Sequence, residues 1–440
     1  MIYKERQITF DLCNHQLSNI NVWTPDSQWL VYDLRPDGGS FTSKTIEKIH
    51  VNTREVTQIY QANSDAHVGV VTVSPNNPPR YAFIHGPENP DKSWQYDFHH
   101  RRGVYVKQDE WDCCHNIDAL SLTPPFVAGA LRGGTHVHIF SPDGQWLSFT
   151  YNDHIMHELN EAWDQRNVAV AVPVGPVIID NRSHPREYDG EYFCCQITTT
   201  TVRPCAGSDD ITRAYEEGWV GKKGYRRKDG GWQQRAIVFI GDTLALSPDN
   251  QAGKIVPEIF IVDLPDDPQK MKQQGEYPLQ GTEQQLPSPP YGVKQRRLTF
   301  THHLNNPGLA LQPRHWLRTS PDGSQIACLR QDDHNVVQLW LVSTCDGELR
   351  QVTHGDSGVQ SAFSWDNTGE YITFIYQNSV ALCQVSTGKI TKITTSSIPA
   401  PCAEAVVFSP DNSQIAFMRD LDGYRQIFTV DTNLSAHLFL

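Results

Sequence analysis

One element recurs along this 440-residue chain and constrains its fold more than any other feature. It is a run of alternating apolar residues, a Ser/Thr-Pro-Asp-Gly turn or a variant of it, and a second apolar run. It reads VWTPDSQWLVYD at 22–33, VTVSPNNPPRYAFI at 71–84 and HIFSPDGQWLSFTY at 138–151. Later copies are LRTSPDGSQIACLR at 317–330, FSWDNTGEYITFIY at 363–376 and VVFSPDNSQIAFMR at 406–419. Proline presets φ at such a turn, and Asp-Gly or Asn suits its later positions. The flanks repeat every two residues in Val, Ile, Phe, Trp and Tyr, which is strand chemistry. Each copy therefore predicts strand, tight turn, strand. A second element predicts an outer strand closing each unit: REVTQIY at 54–60, RRLTFTHH at 296–303, RQVTHG at 350–355 and TKITTS at 391–396. Ser320 and Asp366 lie 46 residues apart, and Asp366 and Ser409 lie 43 apart. That period, with four strands per unit, marks a β-propeller.

The expected fold is all-β: one seven-bladed propeller of four-stranded antiparallel blades spanning 1–440. Inner strands are expected to begin near Asn19, His67, Thr135, Tyr215, His315, Gln360 and Glu404. The fourth, YEEGWVG followed by RAIVFIGD, lacks the turn signature and is inferred. SPDN at 247–250 is out of register and reads as a loop. Between Ser141 and Ser320 lie 179 residues for two blades, so long insertions fall between about 152 and 300; an eighth blade there is the alternative. HELNEAWDQRN at 157–167 is at most one short helix in a loop. RQITFD at 6–11 has the outer-strand pattern but precedes any inner strand. It is expected to complete the last blade and close the ring, which removes an open sheet edge.

Composition excludes several classes. With 11 Trp, 16 Tyr and 17 Phe the chain is not broadly disordered. Lys+Arg is 37 against Asp+Glu 50, for a net charge of −13, which argues against a general nucleic-acid binder. No apolar run is long enough for a membrane-spanning helix, and MIYKERQITFDL has no apolar leader region, so the expected location is cytoplasmic. The ten cysteines follow no disulfide or zinc spacing and are expected as reduced thiols. No P-loop, dinucleotide glycine fingerprint or Gly-x-Ser-x-Gly elbow is present.

The repeats resemble TolB-like and WD40-like propellers over nearly the whole chain. NVWTPDSQWLVYDLRP, FIHGPENP, YDFHHRRG, LRGGTHVHIFSPDGQWLSFTYNDHIMHEL and RAYEEGWVG are similar to an enterobacterial propeller family sometimes labelled "biopolymer transporter Tol". LRGGTHVHIFSPDGQWLSFTYND also resembles ulvan lyases, and the His-x-His before the turn is similar to oligogalacturonate lyases. Both are seven-bladed enzymes that cleave uronate glycans by β-elimination. In the latter, the His-x-His pair binds a divalent metal with further His and a Gln; here Gly133 stands where that Gln is expected.

The residues carry candidates of their own. In a regular strand, i and i+2 share a face, so His136 and His138 are expected to point the same way. His315 has the same register in another blade, and His67 opens the second. Imidazoles converging from several blades would suit Mn²⁺, Zn²⁺ or Ca²⁺ as a resident ion; the competing reading is ring histidines bonded to backbone or water. Elimination at a uronate needs a cation for the carboxylate, a base for the C5 proton and an acid for the leaving oxygen. Arg132 is the expected neutraliser, with Arg186 and Arg235 behind it. His136 doubles as a base candidate, and Tyr215 or Tyr188 as base or acid; a structural role competes for each Tyr. His99-His100-Arg101-Arg102 forms a dense cationic cluster, with His100 a candidate and a solvated loop the alternative. His115 beside Cys113-Cys114 is a further, poorer metal clip. The resemblance implies a lyase acting on an anionic, uronate-containing oligosaccharide. The alternative is a non-catalytic propeller that binds a protein or glycan partner.

Overall fold

The computed structural model describes residues 2–246 and 253–434; the SPDN stretch at 247–250 lies outside them. Seven small antiparallel sheets form the ring. The first blade pairs Trp29–Asp33, Thr45–His50 and Val56–Gln61, with its inner segment joined by single bridges at Gln16 and Trp23. Blades two and three start at Val68–Val73 and Gly133–Phe140. The fourth, without the turn signature, is nevertheless a full blade: Ile211–Trp219, Arg235–Leu244, Ile255–Leu264 and Gln295–Arg297. Blades five and six begin at Arg318–Thr319 and Ser364–Trp365. Pro401–Phe408, Gln414–Leu421 and Tyr424–Asp431 make the seventh, completed by Arg6–Gln7 against the last of these. Glu5 pairs with Arg419 and Thr9 bonds Gln426, both buried or nearly so, so the chain start is locked to the chain end.

The recurring turn explains itself. In blade three, Ser141 Oγ donates to Asp143 Oδ1 at 2.5 Å and accepts from Trp146 N at 3.0 Å. Gly144 sits at φ +69°, and a Cβ there would fall 1.8 Å from the Asn76 side chain of blade two, so glycine suits both the turn and the close neighbour. Blades adhere through apolar faces: Val168, Val170 and Val172 share a core with Ile237 and Phe239 of the next blade. Three indoles fasten the ring, Trp23 to Val407 O, Trp219 to Ile139 O and Trp365 to Arg318 O. Cys194 and Cys195 follow one another in a strand and so enter different inter-blade cores; all ten cysteines are unpaired. Among the described residues no helix is long and apolar enough to cross a membrane.

All inner strands begin at one mouth of the axial channel. The turns surround the other mouth, a cavity of about 690 Å³ lined by Trp23, Phe140, Trp219 and Trp365. Inner strands of blades two, three and four carry the same defect. Val70, Val137 and Glu216 sit at φ +60°, +56° and +52°, and the pairing slips at each. These are β-bulges, which re-aim side chains at a sheet edge.

Candidate active site at the strand-start mouth

The bulge at Val137 separates the two histidines that regular alternation would place on one face. His136 is partly exposed, and its Nδ1 accepts from Arg101 Nη1 at 2.8 Å. His138 is fully buried between blades two and three, with Nε2 3.0 Å from Thr135 Oγ1 and its ring against Phe149. Burial holds His138 down to about 3. His136 is also held well below the ordinary imidazole range, first by burial and then by the guanidiniums of Arg101, Arg166, Arg314 and Arg35. One neutral imidazole thus stands among cations delivered by several blades. Arg101 Nε is buried without a partner. Arg166 is pushed down to about 10 by burial and then by Arg101 and Arg213. Arg35 and Arg314 are already paired with Asp33 and Glu216, so the positive charge left for an anion is that of Arg101 and Arg166.

Beside this mouth two insertions meet. The loop ending in His99 and His100 lies directly on the start of the third blade. A Cβ at Gly134 would fall 1.9 Å from Phe98 O, which is why the RGG sequence is needed there. The second insertion carries the helix His154–Leu159, capped by Asp153 through Met156 N at 2.9 Å, and then Glu161–Trp163. Together they bring in His99, His157 and Asp164, whose ligand atoms all lie within 4.8 Å of one another. The His99 and His157 rings stack at 3.9 Å, His99 Nε2 contacts Asp164 Oδ2, and His157 Nδ1 lies 3.9 Å from that oxygen. His157 Nδ1 is buried with no hydrogen-bond partner. Two imidazoles, one carboxylate and an orphaned ring nitrogen fit a divalent transition ion. His100 stands behind, stacked on Trp94 at 3.7 Å and 3.3 Å from His154 Nδ1.

The other expected groups lie elsewhere, so the expected four-histidine metal set does not converge. His315 uses both ring nitrogens on backbone, Nδ1 to Pro313 O at 3.1 Å and Nε2 from Leu329 N at 3.2 Å. His67, half-buried, faces Lys44 and Asp65. Arg132 is fully buried and bound to Asp153 by Nε at 3.0 Å and Nη2 at 2.8 Å, with its remaining bonds on Thr282 O and Gln285 O. Four of its five N–H donors are taken and the side chain has no exposed surface, so it is not presented to a substrate. Tyr215 is buried and Tyr188 partly buried, and they give their hydroxyl protons to Asp242 and Asp118. Arg235 pairs with Asp143 at the turn end, the opposite face of the ring. Arg186 is tied to Glu88 O, Asn89 O and Asp91. His115 is held by Glu191 and Glu110 and lies 4.0 Å from Cys113 Sγ.

Sequence reasoning missed the His99–His157–Asp164 triad. The H-x-x-H in HIMHEL marks only His157 of the three, since its other histidine, His154, faces His100 instead; His99 and Asp164 carried no spacing signal. It also missed Glu217. That carboxyl is fully buried on the fourth inner strand with neither oxygen bonded, and burial pushes it up to about 8. Below the ordinary glutamate range, folded and unfolded chains both hold this proton. Between there and about 8 only the unfolded chain releases it, so stability falls over that window. Glu217→Gln is therefore expected to gain several degrees in Tm relative to wild type at pH 8 and little at pH 4. Melting curves at both values check this; an equal loss at both would mean the carboxyl has a partner after all.

A seven-bladed propeller with a candidate metal triad beside a cationic mouth is the class that fold and site define. Residues 67–188, which include the triad, His136, Arg101 and Arg166, match the family described as "Protein of unknown function (DUF3748)". Over 421 residues the chain is 52% identical to "Uncharacterized protein YidR" of Escherichia coli (strain K12), covering 95% of this chain and 96% of that protein. The chain belongs to that family. Among solved structures, an oligogalacturonate lyase in complex with manganese superposes with a TM-score of 0.55 at 11% identity, covering 99% of this chain and 98% of that one. Oligogalacturonate lyase from Vibrio parahaemolyticus superposes at 0.53 and 11%, over 98% of this chain and 93% of that one. At this identity the likeness concerns the fold.

Proposed function

We propose that this protein is a lyase that cleaves uronate-containing oligosaccharides by β-elimination, acting in the cytoplasm at the strand-start mouth. The observation that carries the reading is His136, a neutral imidazole among guanidiniums from several blades with a His/His/Asp triad alongside. Arg101 and Arg166 take the role first given to Arg132, binding the uronate carboxylate and so acidifying the C5 proton. At rest Arg101 occupies His136 Nδ1. A carboxylate that draws Arg101 away frees that nitrogen to accept the C5 proton, and its charge offsets the guanidiniums that hold the imidazole down. His136 takes the C5 proton, the C5–H pair becomes the C4–C5 double bond, the C4–O bond breaks, and the leaving oxygen takes a proton from water. A divalent ion on His99, His157 and Asp164 would supply further charge against the carboxylate; two imidazoles favour Mn²⁺ or Zn²⁺ over Ca²⁺. Manganese in the lyase of similar fold supports this choice.

The alternative, a propeller that only binds a protein or glycan partner, is favoured by the wide tryptophan-lined opening at the far mouth. One assay separates them. Elimination leaves an unsaturated uronate that absorbs ultraviolet light. A screen of ulvan, pectin and glycosaminoglycan fragments with Mn²⁺, Zn²⁺ or Ca²⁺ is expected to yield one such signal, abolished by His136→Ala. No signal from any of them, with a stable protein partner recovered, would establish the alternative.

A further inference from the structure

One side chain joins the two halves of the site. Asn152 Nδ2 donates to Asp164 Oδ1 at 3.0 Å, and Asn152 Oδ1 accepts from Arg166 Nε at 3.1 Å. The direction of this amide is forced, because a carboxylate only accepts and a guanidinium only donates. Asp164 offers its other oxygen to the triad, where His99 already contacts it. Asn152 sits at the end of the strand Leu147–Asp153, paired with Gly134 and next to the Asp153 that caps the triad's helix. Its backbone is thus fixed, and its side chain has little room to choose another partner. We infer that Asn152 is a positioning residue that couples a divalent-metal site at His99, His157 and Asp164 to the Arg166 guanidinium, so that metal and substrate carboxylate bind cooperatively.

The physical cause is shared order. A metal that fixes Asp164 fixes the amide, and the amide fixes the direction in which Arg166 presents its remaining donors. An anion that immobilises Arg166 orders the same chain from the other end. Thermodynamic linkage makes the two effects equal in size. The carboxylate half of this inference rests on the lyase reading; the metal half does not.

The test uses full-length, tag-free protein stripped with chelator, titrated calorimetrically with Mn²⁺ and with trigalacturonate, each alone and in the presence of the other. In wild type each ligand is expected to tighten the other by the same factor, within the roughly 5–150-fold range of site-to-site coupling. Asn152→Leu is expected to weaken Mn²⁺ alone by about 10–100-fold, the usual loss when a ligand's supporting bond is removed, and to bring the coupling factor to one. Arg166→Gln leaves the Asn152–Asp164 bond in place, so Mn²⁺ alone should still bind, while trigalacturonate binds more weakly and its affinity no longer responds to Mn²⁺. That second variant guards against misfolding of the first. Equal trigalacturonate affinity with and without Mn²⁺ in wild type overturns the coupling while the lyase reading stands. Mn²⁺ binding with no trigalacturonate binding overturns the coupling and counts against the lyase reading. Loss of Mn²⁺ binding in neither His157→Ala nor Asp164→Ala overturns the metal site itself.

Discussion

Arg101→Gln and Arg166→Gln are each expected to cut turnover of a uronate substrate by on the order of 10²–10³-fold, the usual consequence of removing one preorganised charge contact from a buried site. The shape of the pH profile should change as well. His136 is held low first by burial, then by these guanidiniums. A base works only when unprotonated, so a low value keeps it available into mildly acidic solution. Removing Arg101 raises the imidazole toward its ordinary range, and the acid limb of the rate profile should move to higher pH. Arg166→Gln should do the same to a lesser degree, since it stands second to Arg101 among the charges. Arg101→Lys should restore part of the rate, because an ammonium keeps the charge but cannot present the planar pair of donors. Initial rates from pH 5 to 9 for the three variants check both effects. Rates within twofold of wild type, with an unmoved acid limb, would remove these arginines from the site.

The ring was legible in the sequence because each blade repeats one local instruction. Ser141, Asp143 and Gly144 make a turn by bonds within a few residues, and such local chemistry is visible without a structure. The displaced RQITFD strand was legible for a similar reason: an outer-strand pattern with no blade of its own must join another sheet. The site was legible only in part. His136 was expected at the strand-start mouth, and lies there, because the register of its blade is strong. His138 was paired with it because alternation assumes a regular strand, and Val137 breaks that rule with no warning in GGTHVHIF. The triad was missed because its residues come from two insertions, and nothing in either predicts that Gly134 lets the His99 loop lie on the start of the third blade. Arg132 was expected at the carboxylate because a cation beside a histidine motif resembles a substrate group, but it lies buried against Asp153. Its acid partner, Asp153, is 21 residues away, and only the hairpin between them closes that gap.

Arg132 therefore leads to a prediction of the opposite kind, in stability. Both members of its pair with Asp153 are fully buried, and taking one partner from such a pair leaves a bare charge, at a cost of about 3–5 kcal/mol. Arg132→Met should thus lower the denaturant midpoint clearly. Asp153→Asn added to it should recover much of the loss, because neither charge is then buried alone. Asp153 also accepts from Tyr151 OH at 2.7 Å and caps the helix that carries His157. The single variant should consequently bind Mn²⁺ more weakly even where it remains folded, through a looser helix rather than a lost ligand. Its affinity for a uronate measured without metal should stay near that of wild type, since the Arg132 guanidinium has no exposed surface. Denaturant unfolding and metal-free uronate titration distinguish the two roles. A variant of unchanged stability that no longer binds uronate would make Arg132 the carboxylate group after all, and would require the pair with Asp153 to open when substrate arrives.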